Sequence, residues 1–478
     1  MAIHTFAAIY IGTYDVSLKV FEFTNRKKFH EVDHIRSRQE LGKGAYGTGT
    51  IGYEQVEELC ETLAQFKEIM ESYKVDSYEV CAAAALRDTT NEIFVLDQIY
   101  LRTGFRVKVL SNSEHRFISY KAVAGSPVFE EMIKTSAAVV DVGGASVQIT
   151  LFRDGKMITT QHMETGIMRL RNLLGDRGYS LKMYENQIEE YVNKKLEGFR
   201  SMYMNTPVDY LILISDYAGG LVKKIDEKGE REPLIIPALV LYKMMAQNVN
   251  PKEVWVPGAN IQDGMAFDYA QHNKLLASTH DFDADVISAA TFLSEHYHSF
   301  SPHIQTLSKL SIKIFDAMKQ EHGLGKRARL LLQVATILHD CGKYVSFAEA
   351  SESTYHIIMS SEIIGLTHQE REIVAQIVRY NTLPLDPYEE VADVLSQEEY
   401  LCVAKLSAIL RVANALDQSH KQKFKNIRIA VRERKLVITV EAFEDIALEQ
   451  ALFDAKTSYF ENVYSMKPVL KEKRIYNY

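Results

Sequence analysis

The first stretch of the chain alternates in the manner of strands. TFAAIYIG is an apolar run and VSLKVFEF has period two, so residues 5–24 predict two strands around a turn. Across 54–74 (EQVEELCETLAQFKEIMESYK) apolar positions recur at helical spacing, which predicts an amphipathic helix. DSYEVCAAAALRD predicts a short strand and a small-residue turn. NEIFVLDQIYLRTG predicts a helix ended by Gly104, and FRVKVLS another strand. Strand–helix alternation of this kind predicts an α/β lobe over 1–125.

A second α/β lobe is expected over 126–280. It opens with TSAAVVDVGGASVQITLF, a buried strand, a Gly-Gly turn and a returning strand. A helix at 182–200 and the strand DYLILIS follow. Each half thus opens on a hairpin around a small-residue turn, which is a duplicated plan. Beyond 285 the strand pattern stops. Helices are predicted at 304–320, 326–341, 368–381 and 396–420, giving a helical domain over 281–424. NIRIAVRERKLVITVEAF then predicts a β-hairpin that opens a small α+β region over 425–478.

Composition narrows the function classes. The 478 residues exceed one ordinary core and predict two to four domains. With 55 basic against 63 acidic residues the formal net charge is −8, which excludes a protein held to nucleic acid by an overall basic face. A local basic groove for an anion remains compatible with that balance. The four cysteines, Cys60, Cys81, Cys341 and Cys402, are scattered without a CxxC pair and read as buried free thiols of a reducing compartment. No signal-peptide pattern and no run of 18 apolar residues is present, so a cytoplasmic protein without a membrane span is expected.

The segment Asp141-Val-Gly-Gly-Ala-Ser-Val-Gln148 carries the first candidate chemistry. Gly143 and Gly144 permit close backbone approach to phosphate oxygens, Ser146 adds a hydroxyl, and Asp141 at a strand end can hold a metal beside them. A ligand-free hairpin turn fits the same residues equally well. With its surroundings, however, the loop resembles DIGGGSTE of the exopolyphosphatase/guanosine-pentaphosphatase (Ppx/GppA) family. AAIYIGTYDVSLKVF is similar to that family's first loop, AAIDLGSNSxxLxV. LGKGAYGTGTI, AAAALRD and VKVLSNSEHRFISYKAV resemble LGxG…TGxI, ATSALRD and VEVISGxEEARLIYxGV, in the same order. The resemblance implies duplicated actin-like/RNase H-like (ASKHA) lobes, an all-helical HD-type domain and the small α+β C-terminal region. It also implies an Mg²⁺- or Mn²⁺-dependent phosphoanhydride hydrolase acting on polyphosphate or a guanosine polyphosphate. Neither a sequence-specific nucleic acid nor a membrane is an expected partner; pairing into a homodimer is.

Carried over position by position, the resemblance implies phosphate contacts at Gly12, Thr13, Arg87, Gly143, Gly144 and Ser146, and a metal at Asp141. Three family carboxylates are replaced. The first-loop Asp is Tyr10, the catalytic base is His115, and the Glu closing the second loop is Gln148. Phosphoryl transfer depends on positioning and charge neutralisation, so these losses imply impaired or altered hydrolysis. The alternatives are an active enzyme with His115 or Glu114 as base, and a non-catalytic polyphosphate or (p)ppGpp sensor. Tyr10 or Tyr14 is expected to intrude on an interlobe cleft. The third phosphate loop matches Ser215–Gly220 only loosely.

In the helical half, LLQVATILHDCGK resembles an HD-superfamily metal motif. The resemblance implies metal ligands at His303, His339 and Asp340, with Asn414 where a fourth, anionic ligand belongs. A structural cap at His339-Asp340 is the competing reading. Lys405, Arg411, His420, Lys421 and Lys423 form a basic stretch, read either as a solvated face or as an anion groove.

Overall fold

A computed structural model describes residues 4–25, 28–175, 181–204, 207–214, 235–276, 280–442 and 444–474. The chain divides into two compact units, 1–282 and 283–478.

The first unit contains two five-stranded sheets. One is formed by β1 (His4–Ile11), β2 (Asp15–Asn25), β3 (Lys28–Arg38), β4 (Ser77–Ala82) and β5 (Lys108–Val109), in the order β3-β2-β1-β4-β5. The other is formed by β6 (Ser136–Val142), β7 (Val147–Arg153), β8 (Lys156–Met163), β9 (Tyr210–Ile214) and β10 (Glu253–Trp255), in the order β10-β9-β6-β7-β8. Read from the opposite edge, the second order repeats the first. In each, the opening strand is central, antiparallel to the second and parallel to the fourth. The duplicated mixed α/β plan is therefore present in the topology itself.

Alternation along β1 decides what each face meets. Ala7, Ile9 and Ile11 pack with Leu59, Leu63 and Phe66 of the helix Tyr53–Ser72 and with Ile99 of the helix Glu92–Thr103. Gly104 ends the latter helix at φ +77, a conformation that favours glycine. Phe6, Ala8 and Tyr10 face the other way, onto Ile261 and Met265 of the helix Ile261–His272. β3 was not expected from the sequence. Its residues KFHEVDHIRSR are mostly polar, and it lies at a sheet edge, where one side needs no apolar cover. The strand expected from FRVKVLS shortens to the two residues of β5.

The second unit begins with the helices Phe282–His296, Ser301–Ala317, Lys326–Leu338, Ala350–Ser360, His368–Arg379 and Gln397–Ala415. β11 (Phe424–Arg432) and β12 (Lys435–Ala442) form the expected hairpin; its turn residues Glu433 and Arg434 have φ of 48° and 58°. The helix Ala447–Tyr464 then returns the chain to β13 (Lys467–Arg474), parallel to β12. Leu436, Ile438, Phe453 and Phe460 share one apolar core with Leu310, Leu338, Val374 and Leu406 of the helices. The C-terminal strands and the helical bundle are thus built around a single interior. Among the described residues, no helix is long and apolar enough to cross a membrane.

Candidate functional site

Within the first unit a cleft of about 440 Å³, part of it open to solvent, lies where the β1–β2 and β6–β7 hairpin loops meet. Tyr10, Gly12, Thr13 and Asp15 line it from one lobe and Asp141, Val142, Gly143 and Gly144 from the other. His115 and Ser119, one turn apart on the helix Asn112–Ala124, complete the lining with Ile214, Asn260 and Ile261. The loops touch closely. A Cβ on Gly144 would lie 1.8 Å from Thr13 Oγ1, and one on Gly166 only 2.2–2.4 Å from backbone atoms of Ala145, Ser146 and Gly144. The helix Ile167–Leu174 holds the second loop from behind, through Ile167 N–H to Gly143 O at 3.1 Å and Met168 N–H to Gly144 O at 2.8 Å.

Tyr10, His115 and Gln148, the positions where the sequence resemblance implies lost carboxylates, are joined. Gln148 Nε2 donates to His115 Nδ1 at 3.2 Å, and His115 Nε2 donates to Tyr10 Oη at 2.9 Å. Reversing the Gln148 carboxamide would exchange donor and acceptor roles on the ring and still engage both nitrogens. Burial, reinforced by the charges of Arg87 and Arg116, lowers the imidazole pKa to about 3. At neutral pH the chain Tyr10–His115–Gln148 is uncharged, and neither ring nitrogen is left to take a proton from water.

Glu114 does not line the cleft. It closes a capping box with Ser111, whose N–H donates to Glu114 Oε2 at 3.0 Å, and Lys108 Nζ lies 3.2 Å from Oε1. Burial works against its charge, but the Ser111 hydrogen bond and Lys108 outweigh it and hold the carboxyl below its ordinary value. Arg87 also lies outside the lining; its guanidinium donates to Leu110 O at 2.8 Å and pairs with Asp88 at 3.2 Å. Ser146 is buried behind the loop, and its carbonyl accepts from Gly143 N–H. Tyr10 intrudes on the cleft as expected, whereas Tyr14 turns into the apolar core of the second lobe beside Val140, Val142 and Met168. Ser215–Gly220 lies outside the described residues.

Asp15, Ser119, Val142, Ile214, Asn260 and Ile261 line the cleft without having been singled out in the sequence, and two of them bear on its chemistry. Asp15 adds a second carboxylate beside Asp141 and is paired with Arg36. Ser119, 2% exposed, presents a hydroxyl that has no hydrogen-bond partner among the described residues. Oxygen donors of this kind suit a hard cation such as Mg²⁺ or Mn²⁺. Among the described residues no Lys or Arg lines the cleft, so an anion held by these residues would need a cation for charge balance.

A second constellation lies inside the helical unit. One ring nitrogen of His303, one of His339 and a carboxylate oxygen of Asp340 lie within 4.8 Å of one another, all on buried residues. His303 Nδ1 donates to Asp417 Oδ2 at 2.9 Å and His339 Nδ1 donates to Thr336 O at 2.8 Å. The Nε2 atoms of both rings are buried without a hydrogen-bond partner among the described residues. Burial pushes His339 down to about 4, so its Nε2 presents a lone pair at neutral pH. That lone pair faces Asp340 Oδ1 at 3.3 Å, and two acceptors so placed repel unless a cation sits between them. A metal dication fits this donor set. Gly342 lets the turn after Asp340 press on the helix Ala350–Ser360, since a Cβ there would lie 2.0 Å from Ala350 O.

Most of the basic stretch is engaged internally. Lys405 donates to His322 O, Arg411 to the carbonyls of Tyr380 and Leu383, and Lys423 to Asp445 O and Glu449. Lys405 and Arg411 nonetheless also line an open cavity, with Tyr400, Tyr459 and Asn462.

Comparison with known proteins gives consistent results. The model of the Ppx/GppA phosphatase family matches residues 20–206, and that of Ppx/GppA phosphatase domain III matches 287–456. The guanosine-5'-triphosphate,3'-diphosphate pyrophosphatase of Photobacterium profundum is 19% identical over 444 residues, covering 85% of this chain and 86% of that protein. The protein of the same name from Aliivibrio fischeri is 19% identical over 452 residues, with the same coverage. Among solved structures, the Aquifex aeolicus Ppx/GppA family member superposes with a TM-score of 0.47 at 17% identity, covering 59% of this chain and 100% of that one.

Proposed function

Because this chain belongs to the Ppx/GppA phosphatase family, we propose that its interlobe cleft binds the terminal phosphates of polyphosphate or a guanosine polyphosphate while its hydrolysis is impaired or altered. The observation that carries this reading is the hydrogen-bonded chain Tyr10–His115–Gln148, which occupies three family carboxylate positions without charge. A general base needs a free lone pair within reach of water and a pKa near the working pH, and His115 meets neither condition. Glu114, the other candidate, is tied into a helix cap. What remains suits binding: the apposed glycine loops, and Asp141 and Asp15, which would hold Mg²⁺ or Mn²⁺. Such an ion would neutralise phosphate charge in a cleft whose described lining carries no basic side chain.

The test is phosphate release from long-chain polyphosphate and guanosine pentaphosphate with Mg²⁺ or Mn²⁺, beside Asp141→Ala, with ligand binding measured on the same samples. Binding that requires the metal and Asp141, with release no faster than in the variant, supports the reading. Fast release abolished by Asp141→Ala overturns it.

A second reading concerns the helical unit, an HD-type domain in this proposal. His303, His339 and Asp340 hold a metal dication there, and the two unpartnered Nε2 atoms support it. Asn414 removes one anionic ligand and leaves coordination positions open.

A further inference from the structure

The segment that follows the helix Gln397–Ala415 bends sharply around one carboxylate. Asp417 is 2% exposed. Its Oδ1 accepts the Gln422 N–H at 2.8 Å, and its Oδ2 accepts both Gln422 Nε2–H at 3.1 Å and His303 Nδ1–H at 2.9 Å. To make these bonds the backbone places His420 at φ 56° and Gln422 at φ 48°, left-handed conformations that cost non-glycine residues free energy. His420 stacks on His303 with ring centroids 4.0 Å apart. The His303 imidazole is therefore fixed on one nitrogen by a buried carboxylate and on one face by a second ring, and its Nε2 is left without a partner toward His339 and Asp340.

We infer that Asp417 is a positioning residue for a transition-metal dication held by His303, His339 and Asp340. This rests on the metal reading of the helical unit given above. The chemistry is that of a carboxylate behind a ligating histidine. It keeps the proton on Nδ1, aims the Nε2 lone pair at the ion, and makes the imidazole a stronger donor. Asp417 lies one turn beyond Asn414, so the negative charge absent from the ligand set at 414 returns behind a ligand instead. Two imidazoles and a single carboxylate favour Zn²⁺, Co²⁺, Mn²⁺ or Fe²⁺ over Mg²⁺, which prefers oxygen donors.

The experiment titrates the full chain with Co²⁺, followed by visible absorption and calorimetry, using wild type, Asp340→Ala, Asp417→Asn and Gln422→Ala, with circular dichroism to confirm folding. The expected result is one Co²⁺ bound by wild type and none at this site in Asp340→Ala. Asp417→Asn should weaken binding about 10- to 100-fold and change the absorption band at saturating metal, a shift that loss of stability alone would not produce. If Asp417→Asn fails to fold, Gln422→Ala serves. It keeps the charge but removes a side-chain donor to Asp417, and should still weaken binding by about threefold or more. Wild-type binding with folded Asp417→Asn and Gln422→Ala unchanged overturns the role of Asp417 and leaves the metal reading standing. Absence of Co²⁺ binding in wild type overturns the metal reading itself.

Discussion

Tyr10 Oη lies 2.9 Å from His115 Nε2, joining strand β1 to a helix more than a hundred residues away in sequence. The far nitrogen of the same imidazole is held by Gln148. The three replacements are thus mutually dependent. Each neutral group satisfies its neighbour, and reversing any one alone would place a charge against partners arranged for none.

Cooperative reversal is accordingly expected. The triple variant Tyr10→Asp/His115→Glu/Gln148→Glu should release phosphate from polyphosphate on the order of 10²-fold faster than wild type, the usual worth of a positioned base. His115→Glu alone should gain far less. A phosphate assay with Mg²⁺ checks both, and equal rates in wild type and the triple variant would place the chemistry elsewhere.

Removing the Tyr10 hydroxyl isolates one link. Tyr10→Phe leaves a His115 N–H without its acceptor in a largely desolvated site, at a cost of about 1 kcal/mol. Urea denaturation should show it as a lowered midpoint with unchanged slope. A Tyr10→Phe/His115→Leu double variant should lose less than the sum of the two single losses.

The His115 pKa sets a pH dependence. Its folded value of about 3 lies below the ordinary 6.5, so between these limits the unfolded chain takes up the proton first. His115 therefore favours the native state fully above about pH 6.5, and that contribution is lost as pH falls toward 3. The difference in denaturation midpoint between wild type and His115→Gln should shrink or reverse from pH 7 to pH 4. A constant difference would show the ring titrating normally.

The loop contacts rank two glycines. Gly144→Ala drives a methyl into the Thr13 side chain, whereas Gly166→Ala drives one into backbone. Both should cost about 1–3 kcal/mol or more. Thr13→Gly should restore most of the loss in Gly144→Ala and none in Gly166→Ala, measured by thermal melts and by ligand binding.

The sequence made much of this visible because local rules were consistent. Apolar runs foretold β1 and β6, period-two alternation foretold β2, and helical patterns foretold Tyr53–Ser72 and four helices of the second unit, though not Phe282–His296 or Ala350–Ser360. The polar edge strand β3 gave no such signal. At the site, the glycine loops and Asp141 could be anticipated from residue patterns, and the grouping of His303, His339 and Asp340 only through a resemblance to a metal motif. The cap use of Glu114 was readable too, since Ser111-x-x-Glu114 is a capping-box pattern. Other features depend on tertiary proximity alone. Tyr10, His115 and Gln148 are far apart in the chain, Asp15 reaches the cleft only through the hairpin turn, and Asp417 meets His303 across 114 residues.

Tyr14 carries a mechanical consequence. It belongs by sequence to the first lobe, yet its ring is buried in the second lobe's core. Arg169 and Asp88 bridge the same two lobes at 2.9 Å. Swinging the lobes apart would draw that aromatic plug out of its socket, exposing apolar surface worth about 1.5–3 kcal/mol. Any widening of the cleft by lobe rotation would therefore be resisted by one ring that the first lobe has lent to the core of the second.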